Sequence, residues 1–332
     1  MISELTNSLL LQENILVVKI RIGVIGSGDW GKNHLRVFSE IECDLVGLAD
    51  IRQDRKSLAD QYKIKFFTDY KQMLPLVDAV SIVVPTDLHY GVVKDCLLAG
   101  KHVFVEKPIT LDHKSSQQLI DLAQQKGLIL AVGYLFRFNS AVKKLKEEIK
   151  NIGDIQYVTG RFMHSNKPPR RDSGVIFNFG VHLIDILNYV LPQKPKKVYC
   201  KKMNYLSTDK EDAAMITLDY GNFFASLEMT WFHPLKKRDL WVIGSKAKIY
   251  ADLFEQILIK YPLEIDYNSI NRQPEVNLEI LKNEPLLEEL KAFCHAVSVG
   301  SGKDFTGKEE VLTTKICELA CKSAEDGKEH LL

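Results

Sequence analysis

The chain has 332 residues, long enough for two domains at the usual size of roughly 100 to 200 residues each. Its 44 Lys plus Arg nearly balance 43 Asp plus Glu, which removes any electrostatic reason to expect nucleic acid or an anionic membrane and leaves a small-molecule partner. The six cysteines are scattered without a Cys-x-x-Cys pair and read as reduced core thiols, and no apolar run approaches the roughly 20 residues that span a bilayer.

Residues 1–18 carry Leu9, Leu10, Leu11, Ile15 and Leu16, interrupted by Glu4 and Glu13. They show no secretory leader, so a cytoplasmic location is expected. They read either as a short helix packed on the fold or on a second subunit, or as a loosely ordered extension. Lys19 to Gly31 follows, where the apolar Ile20, Ile22, Val24 and Ile25 break into Gly26-Ser27-Gly28-Asp29-Trp30-Gly31. An apolar run of this kind suits a strand buried on both faces of a parallel sheet. The glycines suit the turn and close backbone approach that a dinucleotide pyrophosphate needs at a helix N-terminus.

A helix over Trp30 to Phe38 leads to the strand Asp44–Ala49 and then Asp50, 19 residues past Gly31. The dinucleotide fold places an acid about 20 residues on, to hold the adenosine ribose hydroxyls. That carboxylate favours NAD over NADP, with Arg52 and Arg55 able to soften the preference; a solvated strand-end Asp is the plainer alternative. Next come a helix through Ser57–Tyr62, the pair Phe66–Phe67, another helix to Leu76, and the apolar strand Ala79–Val84, stopped by Pro85. Pro85, Thr86 and His89 fall beyond the carboxyl end of that strand, where ligands sit in doubly wound sheets; His89 is either a crevice residue or a helix cap. A helix over Tyr90 to Ala99, ended by Gly100, leads to the strand Lys101–Val105, which delivers Glu106-Lys107-Pro108. A Lys before a Pro is held extended, so Lys107 points into the crevice. The helix Asp112–Lys126 and the strand Leu128–Val132 close the parallel sheet.

Beyond Asn139 the pattern shifts to strand-like runs, Ile155–Phe162, Lys197–Lys202, Ala213–Tyr220, Phe223–Trp231 and Asp239–Ile243, which predict a mostly antiparallel sheet. Residues 168–174 read as a loop. A helix from about Phe177 to Leu191 sets His182 and Asp185 on one face. The run Lys236-Lys237-Arg238 reads as a charged turn. Cys317 and Cys321 stand four apart on a further helix, an incomplete ligand set, so no metal is expected.

These pieces resemble the glucose–fructose oxidoreductase, inositol dehydrogenase and rhizopine-catabolism group of sugar dehydrogenases. The resemblance is carried by Gly26–Gly31, by Val84-Pro85-Thr86 with His89, and by Gly100 to Pro108. Gly133-Tyr134-Leu135-Phe136-Arg137-Phe138-Asn139 and Asn178-Phe179-Gly180-Val181-His182-Leu183-Ile184-Asp185 complete it. It implies an α/β fold: a doubly wound Rossmann domain over 19–139, then a substrate-binding and oligomerisation domain over 140–332 with an open, mostly antiparallel sheet. The last helices would pack back on the first domain.

The resemblance further implies a homo-oligomer, dimer or tetramer, with NAD held by Gly26, Ser27, Gly28, Asp29, Trp30, Gly31, Asp50, Pro85, Thr86, His89, Glu106 and Lys107. Lys107 and His182 would meet at the substrate carbon, His182 taking the hydroxyl proton as hydride leaves for the nicotinamide. A base that titrates in the useful range suits alcohol oxidation; Lys107 serves as base or as hydrogen-bond donor. Tyr134, Arg137, Asn178 and Asp185 would attend the substrate. Asn178 stands where many members have Asp, so it is a positioning group rather than a base. The Asn-x-Gly-x-His arrangement, with Phe232-His233-Pro234, resembles the branch that oxidises the 3-hydroxyl of UDP-N-acetylhexosamines or their uronic acids. Arg161, Arg170 and Arg171 would then grip a diphosphate or carboxylate, unless they are simply solvated. The alternatives are a dehydrogenase or ketoreductase for a free sugar, inositol or deoxysugar nucleotide, and a regulator that senses NAD without turnover.

Overall fold

The computed structural model describes residues 19–165, 172–206, 209–303, 305 and 307–332. Residues 1–18, Arg170 and Arg171 lie outside the described residues. Strands β1 (Arg21–Ile25), β2 (Asp44–Ala49), β3 (Lys65–Phe67), β4 (Ala79–Ile82), β5 (His102–Glu106) and β6 (Leu130–Gly133) form a parallel sheet ordered β3-β2-β1-β4-β5-β6. Ile22, Val24, Val80, Ile82, Val103 and Val105 are fully buried, as strands covered on both faces must be. The covers are α1 (Asp29–Glu40), α2 (Lys56–Gln61), α3 (His89–Leu98) and α4 (His113–Gln125). The order reverses between β1 and β4, which opens a crevice beyond the carboxyl ends of those strands.

The expected helix up to Leu76 is instead two 3-10 turns, Tyr70–Gln72 and Leu74–Leu76. Pro75, with no N–H to donate, starts the second turn rather than continuing a helix.

Asn139 then caps α5 (Ser140–Glu148), its side chain accepting from the Ala141 and Val142 N–H groups. The second sheet has ten strands. Its main members are β7 (Ile155–Met163), β8 (Lys197–Met203), β9 (Ala213–Asp219), β10 (Phe224–Thr230), β11 (Lys237–Gly244), β12 (Ala247–Asp252) and β13 (Ile257–Ile265). Only β7 and β10 pair in parallel; the other pairings are antiparallel. Burial alternates along β9 and β10, so one face is packed and the other is open. The packed face meets α6 (Val181–Val190), which follows a π turn over Ile176–Gly180 where the sequence predicted continuous helix. Lys236-Lys237-Arg238 is not a turn: β11 begins at Lys237 and takes Arg238 into register with Phe162 of β7.

Helix α7 (Pro285–Val299) returns to the parallel sheet and buries Leu290 and Phe293 beside Ile22, Leu35 and Phe104. Helix α8 (Lys308–Asp326) packs on α4, α6 and β8. Among the described residues no helix is long and apolar enough to cross a membrane.

Candidate active site

A cleft of about 730 Å³ opens where the carboxyl ends of β1, β4 and β5 face the start of α6 and the inner side of β7 and β11. Its dinucleotide end is built by the glycine turn. Gly26 has φ +94°, and a Cβ on Gly31 would lie 2.2 Å from the Gly26 carbonyl oxygen, so the strand-to-helix turn closes this tightly only with glycine. Among the described residues, Gly28 caps α1 without any side-chain bond to its first N–H groups, and a Cβ on Gly28 would meet nothing within 4 Å. Open backbone at a helix N-terminus fits a pyrophosphate. Gly28, Asp29, Trp30, Pro85 and Thr86 line the cleft, whereas Gly26, Ser27 and Gly31 shape the turn behind it.

Asp50 ends β2 outside the cleft lining and braces this turn. Its Oδ2 accepts from Ser27 N at 2.8 Å and Ser27 Oγ at 2.5 Å, and its Oδ1 from Arg52 N at 3.0 Å. The Arg52 guanidinium is engaged by Asp54 at 2.7 Å and 3.1 Å. His89 sits in the lining and buckles two loops together, its Nδ1 2.8 Å from the Pro108 carbonyl and its Nε2 3.0 Å from that of Val84.

The other end of the cleft holds the titratable groups. Lys107, buried at the end of β5, donates from Nζ to the Asn178 carbonyl at 3.0 Å. That carbonyl belongs to the π turn, a distortion that recurs where a helix serves a site. Behind Lys107 a buried relay fixes the strand end: His34 of α1 meets Ser81 Oγ at 2.8 Å and Glu106 Oε1 at 3.1 Å. Burial pushes the Glu106 carboxyl up, but the His34 bond and the charges of His34 and Lys107 outweigh this and hold it below its usual range.

His182, one turn beyond Asn178, stacks on Phe162 with ring centres 5.3 Å apart and meets Phe136 edge-on at 5.2 Å. Burial first, then the positive charges of Lys107 and Arg238, push its imidazole well below its usual 6.5. The ring is therefore neutral at physiological pH and able to accept a proton. Its Nδ1 and the Asn178 Nδ2 are buried without a hydrogen-bond partner among the described residues.

Four expected substrate residues lie elsewhere. Tyr134 and Arg137 line a separate cavity of about 290 Å³. Arg137 is held by buried Asp185 at 3.0 Å and Glu310 at 2.7 Å, so the pair Arg137–Asp185 is a core ion pair behind the site. Arg161 bonds Asp239 across the strands at 2.6 Å and 2.9 Å. Because side chains alternate along a strand, Arg161 faces the open side of the sheet while its neighbour Phe162 faces the cleft. By the same alternation Arg238, opposite Phe162, faces the cleft.

Lys236, Arg238, Phe162, His164, Asp172 and Trp231 thus line the cleft unanticipated. Only the cross-strand register of β7 and β11 distinguishes Arg238 from Arg161 in this respect, and that register is a long-range fact.

Residues 20–134 match the oxidoreductase family with an NAD-binding Rossmann fold named for Gfo, Idh and MocA, and residues 142–250 match the C-terminal domain of the same family. The chain is 31% identical over 207 residues to a UDP-N-acetylglucosamine 3-dehydrogenase of Acidithiobacillus ferrooxidans, a match covering 62% of this chain and 65% of that relative. A solved structure of a UDP-N-acetylglucosamine 3-dehydrogenase from that organism superposes with a TM-score of 0.83 at 25% identity, covering 93% of this chain and 99% of the other. An uncharacterised oxidoreductase of Bacillus subtilis, YrbE, is 30% identical over 330 residues, with 93% of this chain and 95% of the relative covered. A myo-inositol 2-dehydrogenase of Thermotoga maritima is 27% identical over 331 residues, 92% and 97% covered. The chain belongs to the Gfo/Idh/MocA family of NAD(P)-dependent oxidoreductases.

Proposed function

We propose that this protein uses NAD to oxidise a secondary alcohol of a sugar, namely the 3-hydroxyl of a UDP-N-acetylated hexosamine or its uronic acid, to the 3-keto sugar nucleotide. The observation that carries the reading is His182: a neutral imidazole with a buried ring nitrogen that has no partner among the described residues, in the same cleft as the Lys107 ammonium and the open α1 N-terminus. NAD bound at the glycine turn supplies the hydride acceptor. His182 accepts the hydroxyl proton as the carbon–oxygen double bond forms. Lys107, anchored on the Asn178 carbonyl, donates a hydrogen bond to that oxygen, and Asn178 Nδ2 orients the sugar. Asp50, with Arg52 turned away onto Asp54, supports NAD over NADP.

Purified protein incubated with NAD and a panel of UDP-sugars should gain absorbance at the reduced-nicotinamide wavelength; silence across the panel sinks the substrate assignment. The near full-length match to a myo-inositol 2-dehydrogenase favours a second reading, an enzyme for free inositols or sugars. UDP alone raises the melting temperature under the first reading and leaves it unchanged under the second. The open face of the ten-stranded sheet exposes Tyr157, Tyr199, Met203, Met215 and Phe224. We assign this patch to a second copy of the chain. Met215→Glu should lower the sedimentation-derived mass, and an unchanged mass contradicts the assignment.

A further inference from the structure

Arg238 is the cleft's unexplained charge. Its guanidinium carbon lies 4.6 Å from the centre of the Phe162 ring and 6.0 Å from that of Phe254. Its Nε is buried without a hydrogen-bond partner among the described residues. Among the described residues no carboxylate holds it, and burial acts unopposed to weaken its hold on its proton. Arg161, Arg137 and Arg52 are differently placed: Arg161 is engaged by Asp239, Arg137 by Asp185 and Glu310, and Arg52 by Asp54.

Lys236 stands beside it, its ammonium 3.2 Å from the Phe254 ring centre, and the two cations repel each other. Among the described residues no carboxylate bonds Arg238, and at Lys236 the charge of Glu255 counts for less than burial and the repulsion from Arg238, so holding these two cations on one cleft wall costs free energy. A ligand oxyanion offsets that cost, and a guanidinium fork suits one with two oxygens. The shared Phe162 ring fixes the location, because it carries His182 on one contact and Arg238 on another. An anion held by Arg238 is therefore in the same half of the cleft as His182.

We propose that Lys236 and Arg238 form an oxyanion site in the substrate half of the cleft, which takes a carboxylate or phosphate group of the substrate and so selects charged sugars over neutral ones. This rests on reading the cleft as a sugar site. It replaces Arg161, which the strand register turns away, as the group that grips substrate charge.

The test measures binding rather than turnover, so that it separates from the proposed reaction. With saturating NAD, calorimetry compares UDP with uridine, a phosphate arm, and D-glucuronate with D-glucose, a carboxylate arm. Wild-type protein should prefer the anion in at least one arm by about ten- to a hundredfold, the usual strength of charge-assisted bonds, and the arm that responds identifies the source of the anion. Arg238→Met should remove that preference and leave NAD affinity in place, which shows that the variant is folded; Arg238→Lys should restore part of it. Should Arg238→Met not fold, Lys236→Met carries the test, with a smaller loss of preference expected. No preference in either arm for the wild type, or a preference that survives both substitutions, overturns the proposal. A wild-type protein that prefers the anion yet oxidises no sugar keeps this site and refutes the proposed reaction instead.

Discussion

Replacing His182 by Ala isolates the proposed base. Among the described residues the imidazole makes two ring contacts, with Phe162 and Phe136, and its Nδ1 has no hydrogen-bond partner. At about 0.5–1.5 kcal/mol per aromatic pair the two contacts account for about 1–3 kcal/mol, and the cavity left by the buried ring adds to this, so a melting curve checks that the variant is folded. The catalytic loss should be far larger. A positioned general base contributes about 100- to 10,000-fold, or about 2.7–5.4 kcal/mol of barrier.

The assay is steady-state reduction of NAD by whichever sugar the wild type oxidises, measured across pH. His182 is held well below 6.5 by burial and by Lys107 and Arg238. Its base form therefore persists as pH falls through 6.5, and the acid limb of kcat/KM should lie lower still. In the His182→Ala variant the limb should vanish with the rate. In Arg238→Met one positive neighbour is gone, so the limb should move to higher pH. A His182→Ala enzyme within tenfold of wild type, with its acid limb intact, would refute the assignment.

Three further outcomes follow from the geometry. Asp50→Ala should narrow the preference for NAD over NADP, because a carboxylate that repels the 2′-phosphate is removed; equal affinity ratios in mutant and wild type contradict the cofactor reading. Gly31→Ala should lose NAD binding and lower the melting temperature, since its Cβ would stand 2.2 Å from a backbone oxygen; cofactor titration checks it. Arg137→Met leaves Asp185 and Glu310 buried without their cation, a loss of about 3–5 kcal/mol, which denaturant melts should register as a shifted midpoint with NAD affinity retained.

Much of the first sheet was legible because its signals are local. Buried parallel strands write themselves as short apolar runs, and Gly26, Gly31 and the pre-proline Lys107 each answer a backbone requirement of their own position. The second half was harder. Arg161 and Arg238 are indistinguishable as residue types, and only the pairing of Arg238 with Phe162 and Asp239 with Arg161 assigns one to the cleft and the other to the open face. Arg137 and Asp185 are 48 residues apart, and their motifs drew attention without revealing that they neutralise each other. His34 gave no signal, because it lies on a helix and its partners Ser81 and Glu106 come from two separate strands. The π turn at Asn178 was hidden inside a helical pattern that its side chains share with an ordinary α-helix.

The most direct test of the central claim follows the hydrogen itself. UDP-N-acetylglucosamine carrying deuterium at carbon 3 is incubated with the enzyme and NAD, and the reduced cofactor is examined by mass spectrometry. Direct hydride transfer from that carbon predicts one deuterium in the cofactor and a 3-keto product, both lost with His182→Ala. Unlabelled reduced cofactor, or no reduction in a protein that binds both ligands, would contradict it.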